Sequence, residues 1–557
     1  MTQNAETPRA ARGAGAAEAG AQRWLVRGAL ASGLAIAMVI VWLLREGRAV
    51  APAAGGPAET LALALDRQLQ REGPAAARGL AVRPLAAPEA DADTAALADS
   101  VCEGLVGALA RLAAARVASC RSTGLALAAG LDDVALGRLL AVRHVVRGRL
   151  QPEGERLRVQ LALLDVHDGR TRWAIDEAMP AGELQRLPLR LAQAAAPLLG
   201  QGAPADDAQG ISAAVYERHL RAARLARRPS IDDKRAALAL VEEVLAEAPE
   251  HVASLYLRFQ LRSKLDGYLG GGPAAQGSVD EAAARQAAIA REARRLGERL
   301  IAIDPTSRVG HTFLLNAALE DKRWEDCFAH VDALLRHAAQ HPRVLLVAAR
   351  LHLNAGYVQR AHELAREAAR LDALDAESLE YVAATHGMLG REGEMRELLA
   401  LAAQVGHGGI DFYDAMLAHR RADWPAFERS MTAYAKASQR DADWVPAYAR
   451  GAADPGAREA AARLLDGHDP TLRHYMTDYF FEYALLGDVT RSLAALARHA
   501  RQPPRLWLEY LWWPELAAVR QAPAFSEVVR DIGLATLWDR RGAPDLCRRE
   551  GERWVCR

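Results

Sequence analysis

The chain has 557 residues, with 70 basic and 70 acidic side chains, a hydrophobic fraction of 51% and only 6% aromatics. That length suits two or three domains, each with its own core, and the cancelled charge gives no bulk-electrostatic case for a nucleic-acid partner. Alanine, leucine and arginine dominate, which favours helices over a large β-core.

Gly28 to Leu44 is an unbroken apolar run, and Trp24-Leu25-Val26 extends it across Arg27. As a helix, residues 24–44 would span roughly 32 Å, enough to cross a bilayer core. Trp24 and Trp42 suit the aromatic belts at its two ends. A cleaved signal peptide is the other reading. Against it stand the 23-residue tail before the run and the exit Arg45-Glu46-Gly47-Arg48, where the nearest small-residue site, Ala49 to Ala51, is blocked by Pro52. Arg9, Arg12, Arg23 and Arg27 precede or begin the run, while only Arg45 and Arg48 follow closely. The positive-inside rule then places the tail, 1–23, in the cytoplasm and the body across the membrane.

Residues 45–78 read as a linker, rich in alanine, proline and glycine, with a short amphipathic helix from Leu61 to Arg71. Residues 79–200 read as a small α/β unit. Gly79 to Leu85 is a short strand; Asp93 or Thr94 caps a helix to Ala114 with Leu97, Val101, Leu105 and Leu109 on one face. Arg116 to Cys120 is a second strand, followed by a helix from Asp132 to Leu140. Arg143 to Leu150, Leu157 to Leu163 and Thr171 to Ile175 alternate as strands and are joined by turns at Pro152-Glu153-Gly154-Glu155 and Asp168-Gly169. A closing helix spans Ala181 to Leu199.

This element order, with Leu97-Ala98-Asp99-Ser100, the strand Val145-Val146-Arg147-Gly148 and Trp173, resembles the TolB-like N-terminal domain. The resemblance covers about a fifth of the chain. It implies a bacterial protein of the kind in which that domain accompanies tetratricopeptide repeats in membrane-anchored, CadC-like regulators. One departure matters: those regulators carry a winged-helix DNA-binding domain before the anchor, and the 23-residue tail cannot fold one.

From Ile211 the chain is helical, and residues 211–500 read as a tetratricopeptide-repeat solenoid of period 34. Steps of that length connect Cys327, Ala361 and Met395, as well as Gly356 and Gly390, Ala368 and Ala402, and Leu371 and Val405. Pro305, Ala339 and Ala373 fall at the helix-ending position, and Asn354 to Ala361 resembles a repeat's inter-helix turn. The period is clear from about 290 to 405 and fades beyond Gly406. A further pair is expected at Pro470 to Leu486, capped by Asp469, and Val489 to Ala500. Residues 501–557 concentrate the scarce aromatics, Trp507, Trp512, Trp513, Phe525 and Trp538, and read as a cap over the last hydrophobic face of the stack. The fold class expected is therefore α+β: one transmembrane helix, a TolB-like α/β domain and an all-α solenoid with a C-terminal cap.

The usual catalytic signatures are missing: no phosphate-binding glycine loop, dinucleotide fingerprint, nucleophile elbow or zincin helix occurs. No catalytic, cofactor-binding or metal-ligating residue is therefore named, and no cofactor is expected. His330, His337 and His341 lack the further ligands a metal site needs. Cys327 sits in the small-residue register of a repeat, where a buried side chain belongs. Asp132-Asp133 and Asp232-Asp233 suit helix starts, and Asp165 and Asp168 suit a hairpin turn. The candidate disulfide is Cys547–Cys556, for which two free thiols are the other reading; Cys102 and Cys120 could also pair. The tryptophans at 507–513 read as cap core rather than a ligand or membrane surface.

The function expected is a non-catalytic scaffold on the bacterial inner membrane, single-pass, with its body in the periplasm and a protein or peptide partner on the solenoid. A transmembrane signalling protein derived from CadC-like regulators is the alternative. No nucleic-acid partner is expected.

Overall fold

The computed structural model describes residues 79–88, 92–110, 112, 116–128, 130–140, 142–202, 211–227, 230–265, 279–405, 410–437, 442–467, 479–501 and 508–557. The expected anchor at 24–44, the linker at 45–78, Asp469, Pro470 and Trp507 lie outside them. Among the described residues no helix is long and apolar enough to cross a membrane.

The α/β part contains β1 (Gly79–Val82), α1 (Ala92–Leu109), β2 (Arg116–Ala118), α2 (Cys120–Ala128), α3 (Asp133–Leu139), β3 (His144–Glu153), β4 (Arg156–Asp165) and β5 (Thr171–Met179). The sheet order is β2-β1-β3-β4-β5. β1 runs parallel to both neighbours, and β3, β4 and β5 form an antiparallel meander. Parallel pairing needs a crossover, which α1 supplies between β1 and β2. The expected closing helix is broken into a 3-10 turn (Ala181–Arg186), α4 (Leu187–Ala195) and a second 3-10 turn (Pro197–Leu199). Pro188 and Pro197 stand near the start of the latter two, where a missing N–H costs nothing. α1 also stops at Leu109, short of the expected Ala114.

Strand alternation sends the two faces of the sheet to different cores. Leu80, Val82, Val146, Val159 and Leu161 pack with Leu97 and Leu105 of α1 and Leu187 and Leu191 of α4. Ala81, Ala118 and Val145 point the other way, into one continuous core with Leu136, Leu140 and the solenoid. At that junction Asp372 is buried and accepts the backbone N–H of Ser119 at 3.3 Å.

The solenoid begins with α5 (Ala213–Arg227), α6 (Ile231–Glu247), α7 (Val252–Leu265) and α8 (Val279–Ile303). It continues as hairpins: α9 (Arg308–Glu320) with α10 (Trp324–Ala338), α11 (Pro342–Asn354) with α12 (Val358–Leu371), and α13 (Ala376–Met388) with α14 (Glu392–Gln404). Then follow α15 (Ile410–Arg420) with α16 (Trp424–Ala437), α17 (Val445–Ala453) with α18 (Arg458–Asp466), and α19 (Phe480–Leu485) with α20 (Val489–Arg501).

The repeat is written in the turns. Lys322, Gly356, Gly390, Ala422 and Gly487 each hold a left-handed backbone conformation in the middle of a hairpin. Each turn is closed by the same bond from the residue after it to a carbonyl five positions back: Arg323 to Ala318, Tyr357 to His352, Arg391 to His386, Asp423 to Ala418 and Asp488 to Tyr483. This is the 6→1 bond of a Schellman helix ending. Five residues after the left-handed position, Cys327, Ala361, Met395, Phe427 and Ser492 are all fully buried. The caps keep the same step: Ser307, His341 and Asp375 each accept a backbone N–H at the start of the first helix of a pair. The array is thus a tetratricopeptide-type solenoid by its own internal register, and the hairpin geometry persists past 405, where the sequence period fades.

Residues 508–557 do more than close the last pair. They form two 3-10 turns (Glu509–Trp512 and Pro514–Leu516), α21 (Ala517–Gln521), α22 (Phe525–Asp531), α23 (Leu534–Arg541) and the hairpin β6 (Cys547–Glu550) with β7 (Arg553–Cys556). This segment runs back along the turn edge of the central repeats. Trp324 donates its indole N–H to the Ile532 carbonyl at 2.7 Å, and Trp538 donates to Ala355 at 2.8 Å. The Leu508 N–H reaches Asn354 at 2.7 Å, and Asp545 accepts the N–H of Gln359 at 2.8 Å. Buried Arg520 ties the segment to itself by donating to the carbonyls of Leu511, Trp513 and Arg557.

Two glycines in one register separate repeat geometry from this docking. A Cβ on Gly356, at φ +88°, would lie 2.8 Å from the Trp512 ring, whereas one on Gly390, at φ +76°, meets nothing within 4 Å. Gly390→Ala is expected to cost about 1 kcal/mol for the left-handed backbone alone. Gly356→Ala adds overpacking and is expected to cost about 3 kcal/mol. Urea unfolding of both variants measures the difference; equal losses would mean that Trp512 does not rest on this turn.

Candidate interaction groove

The first helices of four successive pairs, α9, α11, α13 and α15, line a shared groove. α9 contributes Arg308 and Thr312, α11 contributes Arg343, Val347 and Arg350, and α13 contributes Glu377 and Tyr381, around a cavity of about 220 Å³. A second cavity of about 270 Å³ adjoins it, lined by Arg350, Glu380, Tyr381, Tyr413, Glu509 and Trp513. Arg350 and Tyr381 belong to both, so the two form one channel along successive helices.

The open end is basic. Arg343 is ion-paired with Glu377, and Arg350 donates to Asn316 at 3.4 Å. Arg308 has no ion pair among the described residues; burial lowers its pKa, with Tyr256 opposing the shift and the neighbouring Arg343 adding to it. His341 caps α11 by accepting the Arg343 N–H at 3.2 Å. Burial, reinforced by Arg308 and Arg343, pushes its pKa down to about 4, so the cap stays neutral at physiological pH.

The far end is walled by the C-terminal segment. Tyr510 packs edge-on against Phe412 and Phe481, with ring centroids 5.4 and 5.7 Å away. Trp513 lies against Phe412 and Tyr413, with the Arg420 guanidinium 5.4 Å from its ring. Arg420 also grips Glu515 at 2.5 Å, a pair whose carboxylate is almost fully buried. Tyr413 donates to Glu380 at 2.7 Å. Burial pushes the Glu509 carboxyl up to about 7, with Arg350 opposing the shift and Glu380 adding to it.

Of the residues singled out in the sequence, Trp513 lines this groove and His341 caps a helix at its open end; the others described lie elsewhere. Cys547 and Cys556 are disulfide-bonded across β6 and β7, and Cys102 and Cys120 are bonded between α1 and α2. Cys327 is a buried free thiol whose pKa burial pushes up to about 12, which disfavours the reactive thiolate. His330 faces His311 at 3.1 Å, while His341 belongs to the next helix. Among the described residues no cluster of three potential ligands forms. Asp132 caps α3, and Asp133 pairs with Arg83 and Arg147. Asp232 and Asp233 lie in the first turn of α6, capped by Ser230. Asp165 is more than a turn-former: it is buried and held by Arg143 and Arg172. Hydrogen bonds from those arginines and from the His167 N–H outweigh burial and draw its pKa down to about 2. Trp512 and Trp513 are core of the C-terminal segment.

No family model matches this sequence, and no curated protein does. Two solved structures similar at a low level are the APC/C hetero-tetramer Cut9-Hcn1 and the human IFIT1 dimer with PPP-AAAA. The first is 12% identical, with TM-score 0.27, covering 63% of this chain and 83% of that one. The second is 13% identical, with TM-score 0.27, covering 64% and 75%. At that score they carry no weight beyond the register described above.

The far half of the groove was missed in the sequence. The concentration of aromatics after 507 was the available signal, but nothing local says that Glu509 lands beside Arg350.

Proposed function

We propose that this protein is a non-catalytic interaction scaffold, anchored in the bacterial inner membrane by residues 24–44, with its solenoid in the periplasm binding a protein or peptide partner. The observation that carries the reading is the groove itself, a channel lined by three successive first helices and continuous with a second cavity walled by the C-terminal segment. Stacked repeats bind extended segments in such grooves without any single special residue. The two disulfides support an oxidising compartment, and the arginine asymmetry around 24–44 supports the orientation.

Two measurements test it. Reporters fused after Arg48 and after Arg557, one active only in the periplasm and one only in the cytoplasm, are expected to place both positions outside the cytoplasm. A cytoplasmic body would overturn the localisation and favour the signalling alternative. A photo-crosslinking residue at Val347, in the groove, is expected to trap a discrete adduct in cells, while the same residue at exposed Leu464 is not. Equal crosslinking at both positions would remove the groove as the binding surface.

A further inference from the structure

The two cavities of the channel differ in charge. At the far one Glu509 and Glu380 stand beside Arg350, with Tyr510 and Trp513 of the C-terminal segment in its wall. The open half carries more positive charge. Arg308, Arg343 and Arg350 line it against one carboxylate, Glu377, which pairs with Arg343, so an excess of two guanidinium charges faces the cavity. Arg308 is the first residue of α9 and Arg343 the second of α11, so the positive ends of two helix dipoles add to the guanidinium charges. Tyr381 and Val347 supply an aromatic and an apolar wall beside them.

We infer that the open half docks an acidic-aromatic segment of a protein partner, with a carboxylate on Arg308 and Arg343 and an aromatic or aliphatic side chain against Val347 and Tyr381. This rests on the interaction-scaffold reading. A long polyanion fits less well. Beyond Arg350 the channel is lined by Glu380, so a run of phosphates would meet like charge where a mixed acidic and apolar segment meets tyrosines. Guanidinium–carboxylate pairing supplies the specificity, because two parallel N–H donors match the two carboxylate oxygens.

The test is selection from a phage-displayed random dodecapeptide library on the immobilised full-length chain in detergent, followed by affinity measurement of the selected peptides. Selected peptides are expected to be enriched about threefold in Asp and Glu, with an aromatic or Leu within three positions. Their affinity is expected to fall at least about tenfold in the double variant Arg308→Gln, Arg343→Gln. Both side chains are partly exposed, so the variant is expected to unfold at the wild-type temperature, which checks that the fold survives. Peptides without acidic enrichment, or with affinity unchanged in the double variant, would overturn the acidic subsite and leave the scaffold reading standing. Tight binding of a labelled single-stranded DNA oligomer, abolished in the double variant, would replace the acidic segment with a polyanion. A library that yields no binder at all would sink the scaffold reading together with the inference.

Discussion

Trp513→Ala is expected to destabilise the protein by about 3–5 kcal/mol, the range for deleting a fully buried aromatic ring. Trp513 is 1% exposed and touches elements far apart in the chain: Phe412 and Tyr413 of α15, Arg420 at the end of that helix, and the α13 backbone at Gly387. A Cβ on Gly387 would already lie 2.8 Å from its ring, so the backbone there is moulded to it. Removing the ring leaves a cavity and deprives Arg420 of its aromatic partner. The buried Arg420–Glu515 pair then loses the packing that excludes water. Circular-dichroism-monitored urea unfolding reads the loss, and limited proteolysis is expected to cut first between 508 and 516. A loss under 1 kcal/mol, or first cleavage elsewhere, would mean that the C-terminal segment is not held through this residue.

The second large effect depends on pH. The Glu509 carboxyl titrates at about 7 in the fold because burial penalises its charge, with Arg350 only partly compensating. An unfolded glutamate titrates near 4.3, so the folded state binds more protons between those values. Stability contributed by this group is therefore fully present below about pH 4 and is lost as pH rises to about 7, by about 3 kcal/mol. Glu509→Gln removes the loss and is expected to be more stable than the wild type at pH 8 by up to that amount. Buried histidines act in the opposite sense. His219, His341 and His362 are all held down to about 4, and they withdraw stability as pH falls below about 6.5. The informative quantity is thus the difference between variant and wild type at each pH, in which the histidine contribution cancels. A flat difference from pH 5 to 8 would show that Glu509 is not buried as a neutral acid.

Much of the scaffold was legible because repeats write their geometry into sequence. Gly356 and Gly390 stand 34 apart because both turns demand a left-handed residue, and Cys327, Ala361 and Met395 share one buried register. Lys322 and Ala422 meet the same backbone demand without glycine, so the pattern weakens to the eye while the turn remains. The α/β order was legible from alternation and turn residues, since β3 to β5 form a meander whose pairing is local. What sequence could not supply is contact across long separations. Asp372 meeting Ser119, Trp324 meeting Ile532 and Arg350 meeting Glu509 depend on where distant elements come to rest. The far half of the groove, where Glu509, Tyr510 and Trp513 join helices about a hundred positions or more away, depends on such meetings.

A linear array of helical hairpins normally frays from its ends, each pair leaning only on its neighbours. Here the last fifty residues reach back to Trp324, Ala355 and Arg420 and act as a clasp, turning a string of semi-independent units into one body that opens together. The same contacts span 95 to 208 positions and raise the contact order, which slows folding. During synthesis the central hairpins emerge long before residues 508–557. For that interval their turn edge and the whole length of the groove stand bare, and a chaperone can engage the channel before the clasp closes.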